Sequence, residues 1–324
     1  MRLLVLGGTV FLSAAVTADA LARGHEVVCA CRGASGSVPD GARHVAWDRA
    51  GQPPPVEAVG PVDAVVDVAR TPSWVRGAVA AWPDAHWVFV STINVYADDA
   101  VASDGLVDAE PADVDLAVSP DSYGPMKVAC EQAVTAGATS SVLVRPGLIV
   151  GPGDPSGRFA YWPERLADAA DGAEVLAGGS PDDRVQVVDV RDLAAWLVSL
   201  AERRTTGSYD GTGRTVPLGD LLAEVAAGVG SRARLTWVPS EELERHGVEP
   251  WVGPSGLPLW LPRPTYDGMM GRDVEASYAA GLVTRPVAET ARDTLAWLRA
   301  HPDATRTGLS REHEARVLAA AGRG

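Results

Sequence analysis

Tyr123 and Lys127 stand four residues apart in the segment Tyr123-Gly124-Pro125-Met126-Lys127. On a helix, that spacing puts both side chains on one face. A free tyrosine, with a pKa of about 10, is a poor base at neutral pH. A neighbouring ammonium stabilises the phenolate and equips the pair to move a proton. A lysine ammonium also donates to ribose hydroxyls as a compact point charge, with a geometry that a guanidinium does not reproduce. Composition singles the position out. The 324-residue chain has 28 Lys+Arg residues, and Lys127 is the only lysine among them. Where arginine replaces lysine nearly everywhere, the site that keeps lysine is a candidate for needing an ammonium.

Two further segments carry chemistry. Gly7-Gly8-Thr9-Val10-Phe11-Leu12-Ser13 separates an apolar run from a helical pattern. A helix N-terminus at such a turn offers unpaired N–H groups and a positive dipole end to a pyrophosphate. Val88-Phe89-Val90-Ser91-Thr92-Ile93-Asn94-Val95-Tyr96 reads as a buried strand ending in two hydroxyl residues. In open α/β sheets ligands bind at that end of the strands. A hydroxyl there would orient a substrate oxygen beside the tyrosine.

The elements that must position these groups follow from periodicity. Residues 2–7, 26–31, 43–46, 63–68, 86–91 and 141–145 are apolar runs that suit strands covered on both faces. Helical spacing falls between them at 11–23, 73–82 and 122–136. The first half therefore predicts a doubly wound α/β parallel sheet. Gln52-Pro53-Pro54-Pro55 leaves room for only a short helix after the third strand. Beyond residue 146, proline, glycine and aromatic residues cluster. A late strand is expected at 185–190 and a helix at 191–203. A smaller α+β segment follows, with helices near 218–229, 272–281 and 286–300. The tail 310–321 reads as a helix capped by Ser310, and the acidic stretch 98–115 as a solvated loop.

Composition excludes several function classes. A formal net charge of −14 argues against nucleic-acid or anionic-membrane partners. Three cysteines, Cys29, Cys31 and Cys130, make no disulfide framework and suit a reducing compartment. The apolar N-terminus is interrupted by Gly7-Gly8-Thr9, so it is read as a strand rather than a secretory signal. A cytoplasmic location is expected. The six histidines show no metal-ligand spacing, and neither a GxSxG elbow nor a Walker loop is present.

In this order, the glycine turn, the hydroxyl-tipped strand and the Tyr/Lys pair resemble the short-chain dehydrogenase/reductase superfamily. The match is to its extended and atypical branch of NAD-dependent epimerase/dehydratase-like proteins. Asp63–Ala69, Arg145-Pro146-Gly147-Leu148-Ile149-Val150-Gly151-Pro152 and Val187–Ala194 look like further segments of that branch, so the resemblance spans roughly 1–300. It implies a Rossmann-type domain over 1–150 and about 183–205. A substrate-binding domain would cover about 151–182 and 206–324. By position, Tyr123 would be the acid/base, Lys127 the ligand of the nicotinamide ribose, and Thr92 the catalytic hydroxyl. Gly7, Gly8, Thr9, Val10, Phe11 and Leu12 would cradle the pyrophosphate. Asp48 would lie near the adenine, and Val68, Ala69, Ser91, Pro146 and Gly147 would line the cofactor.

Arg32, following Cys31 at the end of the second strand, suits a 2′-phosphate and makes NADP(H) preferred, with NAD(H) possible. Asn94, Arg158, Tyr161, Trp162, Trp251 and Trp260 are the candidate substrate contacts, with Arg165 a second candidate for an anionic group. The expected partner is a small molecule, and the expected state a monomer or homodimer. The preferred function is an NAD(P)-dependent reductase or dehydrogenase. The alternatives are a nucleotide-sugar epimerase or dehydratase that retains its cofactor, and a non-catalytic nucleotide-binding sensor or RNA-associated protein.

Overall fold

In the computed structural model, which describes residues 1–322, seven parallel strands form the central sheet. They are β1 (Arg2–Leu6), β2 (Glu26–Cys31), β3 (Arg43–Ala46), β4 (Ala64–Asp67), β5 (His86–Val90), β6 (Ser140–Pro146) and a final strand, Gly207–Gly211. Their order is Gly207–Gly211, β6, β5, β4, β1, β2, β3. Every residue of β4 and β5 is buried, as the continuous apolar runs require. Helix α1 (Phe11–Ala22) covers one face together with Val190–Arg203. Helices Pro72–Ala81 and Tyr123–Gly137 cover the other. This is a Rossmann-type α/β fold. From β1 the strand order runs outward in both directions, so the switch point lies between β1 and β4.

The seventh strand falls in the segment that the sequence assigns to the second domain. Its sequence, Gly-Ser-Tyr-Asp-Gly, lacks an apolar run. Pairing with β6 brings it into the sheet, with Tyr209 opposite Val144. The late strand expected at 185–190 is split into Arg184–Val185 and Val187–Asp189. Gln186 breaks it: its buried side chain donates to the carbonyls of Gly213 and Arg272, each at 2.9 Å. Val187–Asp189 pairs with Leu148–Val150, away from the main sheet. The helix expected at 272–281 is confined to Glu275–Ala279, and the short helix after β3 is Val56–Val59. The tail helix, Arg311–Ala321, is capped by Ser310, whose Oγ accepts from the His313 amide.

The second part of the chain has its own core, built around Trp162, Trp260, Leu176, Leu222 and Val238. Arg165 and Glu314 pair inside it at 2.7 Å, and Glu314 also accepts from the Leu176 amide at 2.9 Å. A buried ionic network joins this part to the sheet. Arg272 pairs with Asp210 of the seventh strand at 2.8 Å and donates to Ser103 O at 2.7 Å. Tyr96 donates to the same Asp210 at 2.7 Å and lies against the Arg272 and Arg145 guanidiniums. The acidic stretch is thus tied down at places: Asp113 accepts from Ser73, and Met269 donates to Asp99 O. Among the described residues no helix is long and apolar enough to cross a membrane.

The glycine turn after β1 is sterically fixed. Gly8 has φ +105°, and a Cβ there would lie 2.5 Å from Cys29 Sγ on β2. Gly8→Ala should lower unfolding stability by about 1–3 kcal/mol through overpacking and left-handed strain. A denaturant titration against the unmodified chain measures the loss.

Candidate active site

One end of the site grows from that turn. Gly7 has φ +128°, and a Cβ there would meet Ser13 Oγ at 3.3 Å. The chain therefore passes close to the first turn of α1. Val10, the residue before α1, is extended and gives no side-chain cap. The first-turn amides of a 12-residue helix are thereby left for an anion. Phe11 sits at φ +43°, an unusual region for a bulky residue, and its ring lines the main cavity.

That cavity, about 500 Å³, opens at the carboxyl ends of β4, β5 and β6. It brings together Phe11, Leu12, Val68, Ser91, Thr92 and Asn94 with Tyr123, Lys127, Pro146, Gly147, Arg158 and Trp251. Val68 also lines a second cavity with Gly7, Arg32, Asp48 and Ala69. The two cavities together trace a groove across the ends of β1, β2 and β4, the path a dinucleotide needs at a switch point. The residues fit such a cofactor. Gly7 and Gly8 leave no room for side chains where the backbone must approach a phosphate. Ser91 Oγ is buried at the groove with no protein partner, a hydroxyl left for a ligand.

Lys127 is 1% exposed. Its Nζ donates to Ala69 O at 2.8 Å and to Val90 O at 2.5 Å, bridging the ends of β4 and β5. It lies 4.3 Å from the centre of the Phe89 ring. One ammonium proton remains for a ligand. Burial pulls the Lys127 pKa down to about 8, against the nearby Cys130, Asp67 and Glu131, which act the other way. Thr92 donates to Asn94 Oδ1 at 2.8 Å and accepts from the Asn94 amide, which fixes the hydroxyl over the cavity floor.

Tyr123 opens its helix beside Thr92. Burial raises its pKa above the ordinary value, and the Thr92 hydrogen bond, Arg70 and Arg158 oppose that rise. The sequence assigns the lowering of this pKa to Lys127. Its ammonium is instead turned to the Ala69 and Val90 carbonyls, and the cations that bias the phenol are two arginines. Tyr123 therefore holds its proton at neutral pH.

Several expected contacts lie elsewhere. Tyr161, Trp162 and Trp260 belong to the core of the second part; the Trp162 indole donates to Pro258 O at 2.9 Å and Trp260 to Ser240 Oγ at 3.2 Å. Large aromatics in a Gly/Pro-rich sequence serve packing here rather than a pocket. Arg165 is engaged by Glu314 and lines neither cavity. Gly8, Thr9 and Val10 contribute backbone to the turn rather than cavity surface. Other residues of the site are not singled out by sequence: Asp154, Ser156, Met269 and Met270 around the main cavity, Arg70 within electrostatic reach of Tyr123, and Trp47, Arg49 and Trp74 around the second cavity. Arg49 lies against both indoles and is held by Asp67 at 2.9 and 2.8 Å. The position of Arg70 three residues beyond the end of β4 is the one available signal.

No protein-family model matches this chain, and no curated protein sequence matches it. Solved structures do. The enzyme WbmH of Bordetella bronchiseptica, in complex with NAD+, is 19% identical, with a TM-score of 0.63 over 93% of this chain and 99% of its own. The UDP-glucose 4-epimerase of Thermus thermophilus, in complex with NAD, is 19% identical, with a TM-score of 0.60 over 93% and 100%. MoeE5, in complex with UDP-glucuronic acid and NAD, is 18% identical, with a TM-score of 0.60 over 93% and 99%. Identity at this level shows a common fold. It is the fold that the short-chain dehydrogenase/reductase resemblance implies.

The cage around Lys127 makes a prediction. Lys127→Arg keeps the charge but must fit a larger planar group between two carbonyls in a fully buried site. The variant should lose about 1–3 kcal/mol of stability and bind NADH more weakly. Thermal melting and NADH titration read the two effects.

Proposed function

We propose that this protein transfers hydride between a nicotinamide dinucleotide and a carbinol or carbonyl carbon, with Tyr123 as the proton donor and acceptor. The observation that carries the reading is the convergence of Thr92, Tyr123 and Lys127 in one cavity continuous with the glycine-turn groove. The nicotinamide supplies the hydride donor or acceptor. The chain's own residues do the rest. Thr92, fixed by Asn94, orients the substrate oxygen. Tyr123 gives that oxygen its proton or removes it. Lys127 holds the ends of β4 and β5 together and directs its remaining N–H toward the ribose. The free amides of α1 neutralise the pyrophosphate.

At the adenosine end Arg32 supports a 2′-phosphate and NADP(H). Asp48 lines the same cavity, and a carboxylate suits ribose hydroxyls and NAD(H). The compared structures carry NAD. Parallel titration with NADH and NADPH decides between them. Whether turnover is net oxidoreduction or epimerisation rests on cofactor retention. The similarity to UDP-glucose 4-epimerase supports the second reading, in which one bound cofactor oxidises and re-reduces the same sugar carbon. Thr92 is followed by Ile93-Asn94 rather than an acidic pair, which supports epimerase over dehydratase. Mass spectrometry of nucleotide released from the purified protein separates a retained cofactor from an exchanging one.

Tyr123→Phe should cut turnover by about 10²–10⁴-fold, the usual worth of a positioned acid/base, while NADH binding persists. Turnover at the level of the unmodified protein would remove Tyr123 from the mechanism. The pH dependence has a defined sign. The Lys127 ammonium is complete below about 8 and is lost as pH rises through that value. Turnover and NADH affinity should therefore fall on the alkaline side of about 8, and a pH–rate profile checks it.

A further inference from the structure

One cation in the main cavity has donors left over beyond its electrostatic influence on Tyr123. Arg158 lines the cavity with Tyr123, Thr92 and Asn94. Its guanidinium is half-buried and makes no ion pair with any carboxylate among the described residues. The nearest acid is Asp154, which is buried and turned to Ser156: Oδ1 accepts from the Ser156 amide and Oδ2 from Ser156 Oγ, each at 2.8 Å. Ser156 Oγ in turn accepts from Arg158 Nε at 3.1 Å. The Asp154–Ser156–Arg158 relay thus orients the guanidinium through Nε alone. The two terminal nitrogens have no acceptor among the described residues. The group also lies against the Trp251 ring, 5.1 Å from its centre, which fixes its plane.

A fixed guanidinium presenting its Nη1/Nη2 edge to a cavity matches the two oxygens of a carboxylate. The dinucleotide phosphates are served by the amides of α1, which leaves this fork for an anionic group of the substrate itself. Carboxylate and phosphate both match it, and a phosphate probe separates the two. Arg70, exposed and without an ion-pair partner among the described residues, lies within electrostatic reach of the same tyrosine. In a chain of net charge −14, two uncommitted arginines beside one phenol make a local positive field that draws an acid in.

We propose that Arg158 anchors a carboxylate of the substrate, held by Ser156 and Trp251 so that the reacting oxygen falls on Tyr123. The substrate class is then a hydroxy or oxo acid, sugar acids included. This rests on the hydride-transfer reading for the role of Tyr123 but not for the binding of the acid.

The test is calorimetric titration of the purified protein, with and without NADH. The probes are D-glucuronate against D-glucose, malonate against malonamide, and inorganic phosphate. The acids should bind about tenfold or more tightly than their neutral partners, the worth of a charge-assisted pair, and more tightly than phosphate. Arg158→Gln should erase the difference with NADH affinity unchanged, which shows the variant folded. Arg158→Lys should recover only part of it, since the charge remains and the fork is lost. Equal binding of acid and neutral partner, no binding of either acid, phosphate binding as tightly as the acids, or undiminished acid affinity in either variant overturns the proposal. Because binding is read without turnover and also without NADH, a failure of the hydride-transfer reading leaves this test decisive.

Discussion

The site depends on one buried ammonium. Lys127 is enclosed by protein and commits two of its three protons to the carbonyls at the ends of β4 and β5. Those ends carry Ala69 and the Ser91-Thr92 step, the two walls between which a cofactor and a substrate oxygen would meet. A buried charge of this kind is costly unless its hydrogen bonds are complete. The strand ends are therefore held at the spacing that satisfies the ammonium. Thr92 lies two residues beyond the end of β5, and Tyr123 stands one helical turn before the lysine that bridges the two strands.

Around it, the cations are divided by burial and partner. Arg49, Arg145, Arg165 and Arg272 are each matched to a carboxylate inside the protein and act as struts. Arg158, which lines the cavity, and the exposed Arg70 are not matched to a carboxylate among the described residues. Both lie within electrostatic reach of the Tyr123 phenol and oppose the rise that burial imposes on its pKa. Sequence spacing alone assigns the electrostatic role to the lysine, since four residues on a helix share a face. The side chain, however, turns toward backbone carbonyls that only the folded sheet brings into reach.

The same distinction explains what is legible in the sequence. Fully buried parallel strands write themselves as apolar runs, so β1, β2, β4, β5 and β6 are readable, and with them the glycine turn and the Thr/Tyr/Lys set. The strand Gly207–Gly211 is not, because an edge strand of glycine, serine and aspartate gains its place from its neighbour β6 and not from its own hydrophobicity. Trp162 and Trp260 look like pocket residues because aromatics among prolines and glycines have no period to reveal which face is covered. Arg158 and Arg165 carry identical signals seven residues apart. Only the fold shows that one meets Glu314 and the other meets none.

The Arg272–Asp210 pair has a consequence for how a substrate arrives. Arg272 belongs to the strap that carries Met269 and Met270 over the cavity, and Asp210 to the edge of the sheet. Swinging the strap outward would separate this buried ion pair. The cavity roof is therefore fixed on the side where the two parts of the chain interlock. A ligand entering it loses its own freedom but does not have to order the protein there. A preformed opening on that side spares a ligand the ordering cost that closure of a mobile segment would add.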